Sequence, residues 1–102
     1  MDTNIHIRYC CGSKTLIDKF IELGFKEKGS DPDHMNTRQI RRFYKGKNLK
    51  IEEGYHGITL FRLEEIPGPI NTKSNIWQIK YKGLSVNKEL LENFAQKGIY
   101  NQ

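Results

Sequence analysis

Long hydrophobic runs are missing from this 102-residue chain. No apolar stretch approaches the about 20 residues of a membrane span, or the shorter apolar core of a secretory signal. The expectation is a cytoplasmic protein with no membrane engagement. Cysteine is scarce too: the two present, Cys10 and Cys11, are adjacent and on a strand would point to opposite faces, so a structural disulfide between them is not expected. Reduced thiols fit an intracellular setting. There is no low-complexity tract, internal repeat or interdomain linker, and the length suits one domain with one modest core.

Cofactor and metal signatures are likewise lacking. Among His6, His34, His56, Cys10 and Cys11 no pair has a zinc-binding spacing. Lys14 is preceded by Ser13 where a Walker lysine needs glycine, and the upstream glycine is missing as well. No cofactor, no metal and no catalytic residue are expected.

What the chain does have is a localised charge. Between Lys26 and Lys50 lie Lys26, Lys28, Arg38, Arg41, Arg42, Lys45, Lys47 and Lys50 against Glu27, Asp31 and Asp33, a net +5 that equals the formal charge of the whole chain. Charge concentrated in one window points to contact with an anionic partner.

Hydrophobic periodicity places the elements. Ile5, Ile7 and Tyr9 alternate with His6 and Arg8, as in a half-buried strand. Ser13 is a plausible N-cap for a helix whose inner face is Leu16, Ile17, Phe20, Ile21 and Leu23, stopped by Gly24. A short strand over Phe25–Lys28 leads into turn chemistry from Gly29 to Thr37. Strand-like composition from Arg38 carries a turn at Lys45-Gly46, a break around Gly54–Gly57 and a strand at Ile58–Leu63. Glu64–Asn75, with Pro67-Gly68-Pro69, reads as a long loop, followed by a strand at Ile76–Tyr81. A final helix has Asn87 as N-cap, Val86 stapling onto Leu91, a stripe of Leu90, Leu91 and Phe94, and Gly98 past its end. The expected fold is α+β: one antiparallel sheet of four to five strands, order β-α-β-β-β-β-α, with both helices on one face and the other face free for solvent, a second copy or a ligand.

If Lys45-Gly46 forms a two-residue turn, Arg41 faces Lys50 on one side of the hairpin and Phe43 stands exposed beside them. Like charges at opposed positions weaken a sheet unless an anion covers them. The candidate site is therefore Arg38, Arg41, Arg42, Lys45, Lys47 and Lys50, with Phe43 or Tyr44 stacking on bases, and the expected partner is nucleic acid or another phosphorylated ligand. Gly12-Ser13-Lys14-Thr15, at the start of the first helix, forms a secondary candidate for anion binding.

Two further functions are open. A regulator or inhibitor of the kind mobile elements encode would bind a partner protein through Glu64–Asn75 and Trp77. A small RNase would use His34 and His56 as acid and base. The order helix, three strands, helix with a basic middle resembles ribonuclease toxins of the HicA type, whose active histidine follows a glycine-serine pair. Here Gly29-Ser30 precedes Asp31 and His34 is displaced, so that role does not carry over. The order strand, helix, Leu23-Gly24-Phe25, strands is similar to half of a glyoxalase-like fold, which implies a dimer, but a clear metal-ligand set is lacking.

Overall fold

Two helices close over one face of a five-stranded antiparallel sheet. The computed structural model describes residues 4–6, 12–32, 39–54, 57–69, 72–80 and 85–100. In chain order the elements are β1 (Asn4–His6), α1 (Gly12–Glu22), β2 (Lys26–Pro32), β3 (Gln39–Lys45), β4 (Leu49–Glu53), β5 (Gly57–Glu65), β6 (Thr72–Lys80), β7 (Ser85–Asn87) and α2 (Lys88–Lys97). Strands β2 to β6 form the sheet in sequence order, and β1 pairs separately with β7. This is the expected α+β layering, and the main sheet has the expected number of strands; β1, expected in that sheet, pairs instead with β7, a strand the sequence does not announce.

Each helix stops where its glycine says it should. At the end of α1 the Phe25 N–H donates to the Phe20 carbonyl and the Gly24 N–H to that of Ile21, both at 3.0 Å, the Schellman pattern. Its accompanying apolar contact is Phe20 against Phe25, ring centroids 5.3 Å apart. Helix α1 starts at Gly12, one residue before the serine expected to cap it. For α2, the Asn87 side chain accepts from the Glu89 N–H at 2.8 Å, and Gly98 takes a left-handed conformation at φ 71° while its N–H donates to Phe94. Glu89 in the first turn and Lys97 in the last complement the helix dipole.

The core lies between helices and sheet. Leu16, Ile17 and Phe20 of α1 and Leu91, Phe94 and Ala95 of α2 meet Phe43, Ile51, Ile58, Leu60 and Ile79 of the sheet. Phe25 stacks on Phe94 at 6.0 Å, and Trp77 meets the same ring edge-on at 6.1 Å. Each such aromatic pair adds about 0.5–1.5 kcal/mol beyond the area it buries. Val86 and Leu91 share this core, as the staple requires. Lys19 bridges the helices, its Nζ 3.1 Å from Glu92 Oε1.

Two expected loops are shorter than the sequence implies. Strand β2 continues to Pro32 through a register shift between Glu27 and Ser30, so the first part of Gly29–Thr37 is strand. Strands β5 and β6 extend to Glu65 and from Thr72, which takes the ends off Glu64–Asn75. Both β2 and β6 are edge strands, where proline, glycine and polar residues are tolerated because one side of the backbone needs no ladder partner. Among the described residues no helix is long and apolar enough to cross a membrane.

Candidate nucleic-acid interface

The hairpin register decides which side chains meet. Strands β3 and β4 pair Arg41 with Glu53, Arg42 with Glu52, Phe43 with Ile51, Tyr44 with Lys50 and Lys45 with Leu49, leaving Gly46, Lys47 and Asn48 as a three-residue connection. The two-residue turn expected at Lys45-Gly46 does not form. The shift from the expected register is odd, so relative to β4 every side chain of β3 turns to the opposite face. It places Phe43 against Ile51 with no exposed surface on either residue, and it sets opposed charges across the ladder where the alternative would set Arg41 against Lys50. Hydrophobic burial and cross-strand electrostatics favour the same register.

This register divides the basic cluster. Arg41 and Lys45 share the helix-covered face with Phe43. Arg41 donates from Nε to Glu27 Oε2 at 2.8 Å and lies 3.6 Å from the buried Glu53 carboxylate. The hydrogen bond from Arg41, reinforced by its charge, holds the Glu27 carboxyl below the usual glutamate range. Lys45 donates to the Ala95 carbonyl at 2.7 Å, near the C-terminal end of α2. These two residues, expected at the ligand, serve the fold. So does Phe43, which is buried and offers no face for a base to stack on. Lys47 is exposed in the connection, while Arg38, His34, His56, Cys10 and Cys11 lie outside the described residues.

The face away from the helices, which no described element covers, is different. Alternation puts Lys26 and Lys28 of β2, Ile40, Arg42 and Tyr44 of β3, Lys50 and Glu52 of β4, Thr59, Phe61 and Leu63 of β5, and Ile76, Gln78 and Lys80 of β6 on the side away from the helices. The register aligns one row across all five strands: Lys26, Tyr44, Lys50, Phe61, Ile76. Within it the Lys50 ammonium sits 4.3 Å from the Phe61 ring centroid, and Lys28, two residues along β2 from the row's Lys26, lies 5.8 Å from that of Tyr44. Ile76 closes the row at 54% exposed. Beside the row, Glu52 Oε2 accepts from Arg42 Nε at 2.9 Å and lies 3.7 Å from Lys50 Nζ, so one carboxylate partly offsets two cations.

Sequence patterning misses Phe61, Lys26, Lys28 and Ile76. The available signal is in β5, where Ile58 and Leu60 mark one face and Phe61 and Leu63 the other. A strand with apolar residues on both faces, in a sheet with helices on only one, advertises its free side. Trp77, expected as an anchor for a partner protein, packs inward against Phe94. In the secondary candidate, Gly12 and Ser13 form the first residues of α1, and Lys14 and Thr15 are exposed. Comparison with protein-family models, curated proteins and solved structures returns no match.

Proposed function

We propose that this protein binds single-stranded nucleic acid on the uncovered face of its sheet. The observation that carries the reading is the row in which Lys26, Tyr44, Lys50 and Phe61 alternate, with Lys50 beside the Phe61 ring and Lys28, from the next same-face position of β2, beside that of Tyr44. Tyr44 and Phe61 are two strands apart, about 10 Å at the usual strand spacing. That separation leaves each ring room to stack on a base of its own.

Magnitudes favour exchange of a lysine for a base. An exposed cation–π contact is worth roughly 0.5–1 kcal/mol, while a base stacked on a protein ring is worth roughly 1–3 kcal/mol. An arriving base displaces the ammonium, and the flexible lysine stem carries its charge to the adjoining phosphate. Duplex bases already stack on one another and present no free faces, so single strands are the favoured class.

Polarisation titrations of labelled single- and double-stranded oligonucleotides at two ionic strengths test this. Single strands are expected to bind more tightly, with a logarithmic salt slope of about −3 for four lysine–phosphate contacts, reduced by about 0.7 in Lys50→Ala. Equal or tighter duplex binding, a salt-independent affinity, or self-association that occludes the face would overturn the reading.

A further inference from the structure

One step along the strands from the ring row, the same face holds a depression of about 240 Å³. Ile40 forms an apolar wall, and Glu52, Thr59 and Gln78 supply polar groups. Two of its lining residues, Gly54 and Gly57, are glycines at the end of β4 and the start of β5. A Cβ on Gly54 would meet nothing within 4 Å. At Gly57 the strand runs so close to β6 that a Cβ would sit 2.1 Å from the Ile79 carbonyl oxygen, so no larger residue fits there.

A carboxylate on a surface meant for a polyanion needs a reason, because Glu52 repels phosphate. Besides pairing with Arg42 and Lys50, this carboxylate can accept further N–H donors. Both cationic contacts fall on Oε2, Arg42 at the 2.9 Å of a hydrogen bond and Lys50 at 3.7 Å, so this oxygen keeps a second lone pair for another donor. Guanine carries two adjacent N–H donors on its Watson–Crick edge, N1–H and the N2 amino group, which match the two oxygens of a carboxylate. Adenine, cytosine and uracil offer a carboxylate no such adjacent pair. In a single strand that edge is free to be read. The pocket is smaller than the roughly 300–1,000 Å³ of clefts for drug-sized ligands, which suits one base rather than a whole nucleotide. Thr59 lies two residues from Phe61 along β5, about 7 Å, so a base in the pocket neighbours one stacked on Phe61.

We propose that the pocket formed by Ile40, Glu52, Thr59 and Gln78 selects a guanine base within a single strand. This rests on the sheet face being a nucleic-acid surface. Glu52 accepts from N1–H and N2–H, Ile40 covers one side of the ring, and Thr59 and Gln78 satisfy the remaining polar atoms.

The test compares an all-uracil octamer with octamers carrying one central guanine, adenine or cytosine, at fixed salt. The guanine oligomer is expected to bind about tenfold more tightly, within the range for one bidentate base contact. In Glu52→Gln the preference should fall below about twofold while affinity for the all-uracil strand holds or rises, since a phosphate-repelling charge is gone. Gly54→Leu, which fills the pocket from a position with free space, should abolish the preference and leave uracil binding intact. Equal affinity for all four octamers overturns this inference and leaves single-strand binding standing. A preference that survives in both variants, each folded by circular dichroism, overturns it as well. Failure of every octamer to bind overturns the function it rests on.

Discussion

Lys45 donates from Nζ to the main-chain carbonyl of Ala95 across 2.7 Å, tying the end of β3 to the last turn of α2. Arg62 reaches the Gly98 carbonyl beyond it at 3.4 Å. The terminal carbonyls of a helix have no partners within it and carry its negative dipole end, so cations there are doubly favourable. Replacing Lys45 with methionine keeps most of the stem and removes the donor. Stability should fall by about 1–2 kcal/mol, the scale of a charged hydrogen bond to a partly buried acceptor. Oligonucleotide affinity should change less than about twofold, because the ammonium faces the helices and not the free face. Urea unfolding and a binding titration on the same variant check both halves, and a large loss of affinity with unchanged stability would return Lys45 to the ligand.

Neighbouring aromatics on β3 should behave as opposites. Phe43 is wholly buried against Ile51, and its truncation to alanine is expected to cost about 3–5 kcal/mol of stability. Tyr44, one residue on, faces the other way. Tyr44→Ala should leave the unfolding midpoint nearly in place while weakening single-strand binding by about 1–3 kcal/mol. Should the two substitutions have the same profile, the assignment of faces is wrong.

The contact between Arg41 and Glu27 gives a pH signature. With its carboxyl held below the ordinary value, Glu27 contributes stability that is complete above the unfolded-state range and fades as pH falls through the lowered value. The side chain is 41% exposed, so solvent screening keeps the contribution small. Carbon-detected NMR titration should find the Glu27 carboxyl titrating below the ordinary glutamate range, and Arg41→Ala should bring it back toward that range. An unchanged titration midpoint in that variant would assign the shift to something other than the guanidinium.

Much of this fold is legible in the residue order because local chemistry settles it. Asn87 and Gly98 bracket α2 by hydrogen bonding and backbone conformation, neither of which depends on distant partners. The hairpin is another matter: Lys45-Gly46 is compatible with a two- or three-residue connection, and the choice is made by whether Phe43 or its neighbours reach the core. That is a tertiary decision, and the candidate site turned over with it. Gly29 to Pro32 and Thr72 to Asn75 read as loops for a related reason. Their turn-forming and polar composition is tolerated at sheet edges, and which strand lies at an edge becomes known only when the sheet is assembled.

The pairing of β1 with β7 joins two segments far apart in the sequence. Apposing Ile5 and Val86 closes a loop of about 80 residues, at an entropic penalty about 2.5 kcal/mol above that of a five-residue connection. Three residues of ladder on each side are a thin return for that expense. Ile5 and Val86 are both almost fully buried, and at roughly 1.5–3 kcal/mol apiece their desolvation exceeds the penalty where backbone hydrogen bonds alone would not. The clasp between β1 and β7 is thus a grip of two greasy side chains, with the strand pairing as its consequence.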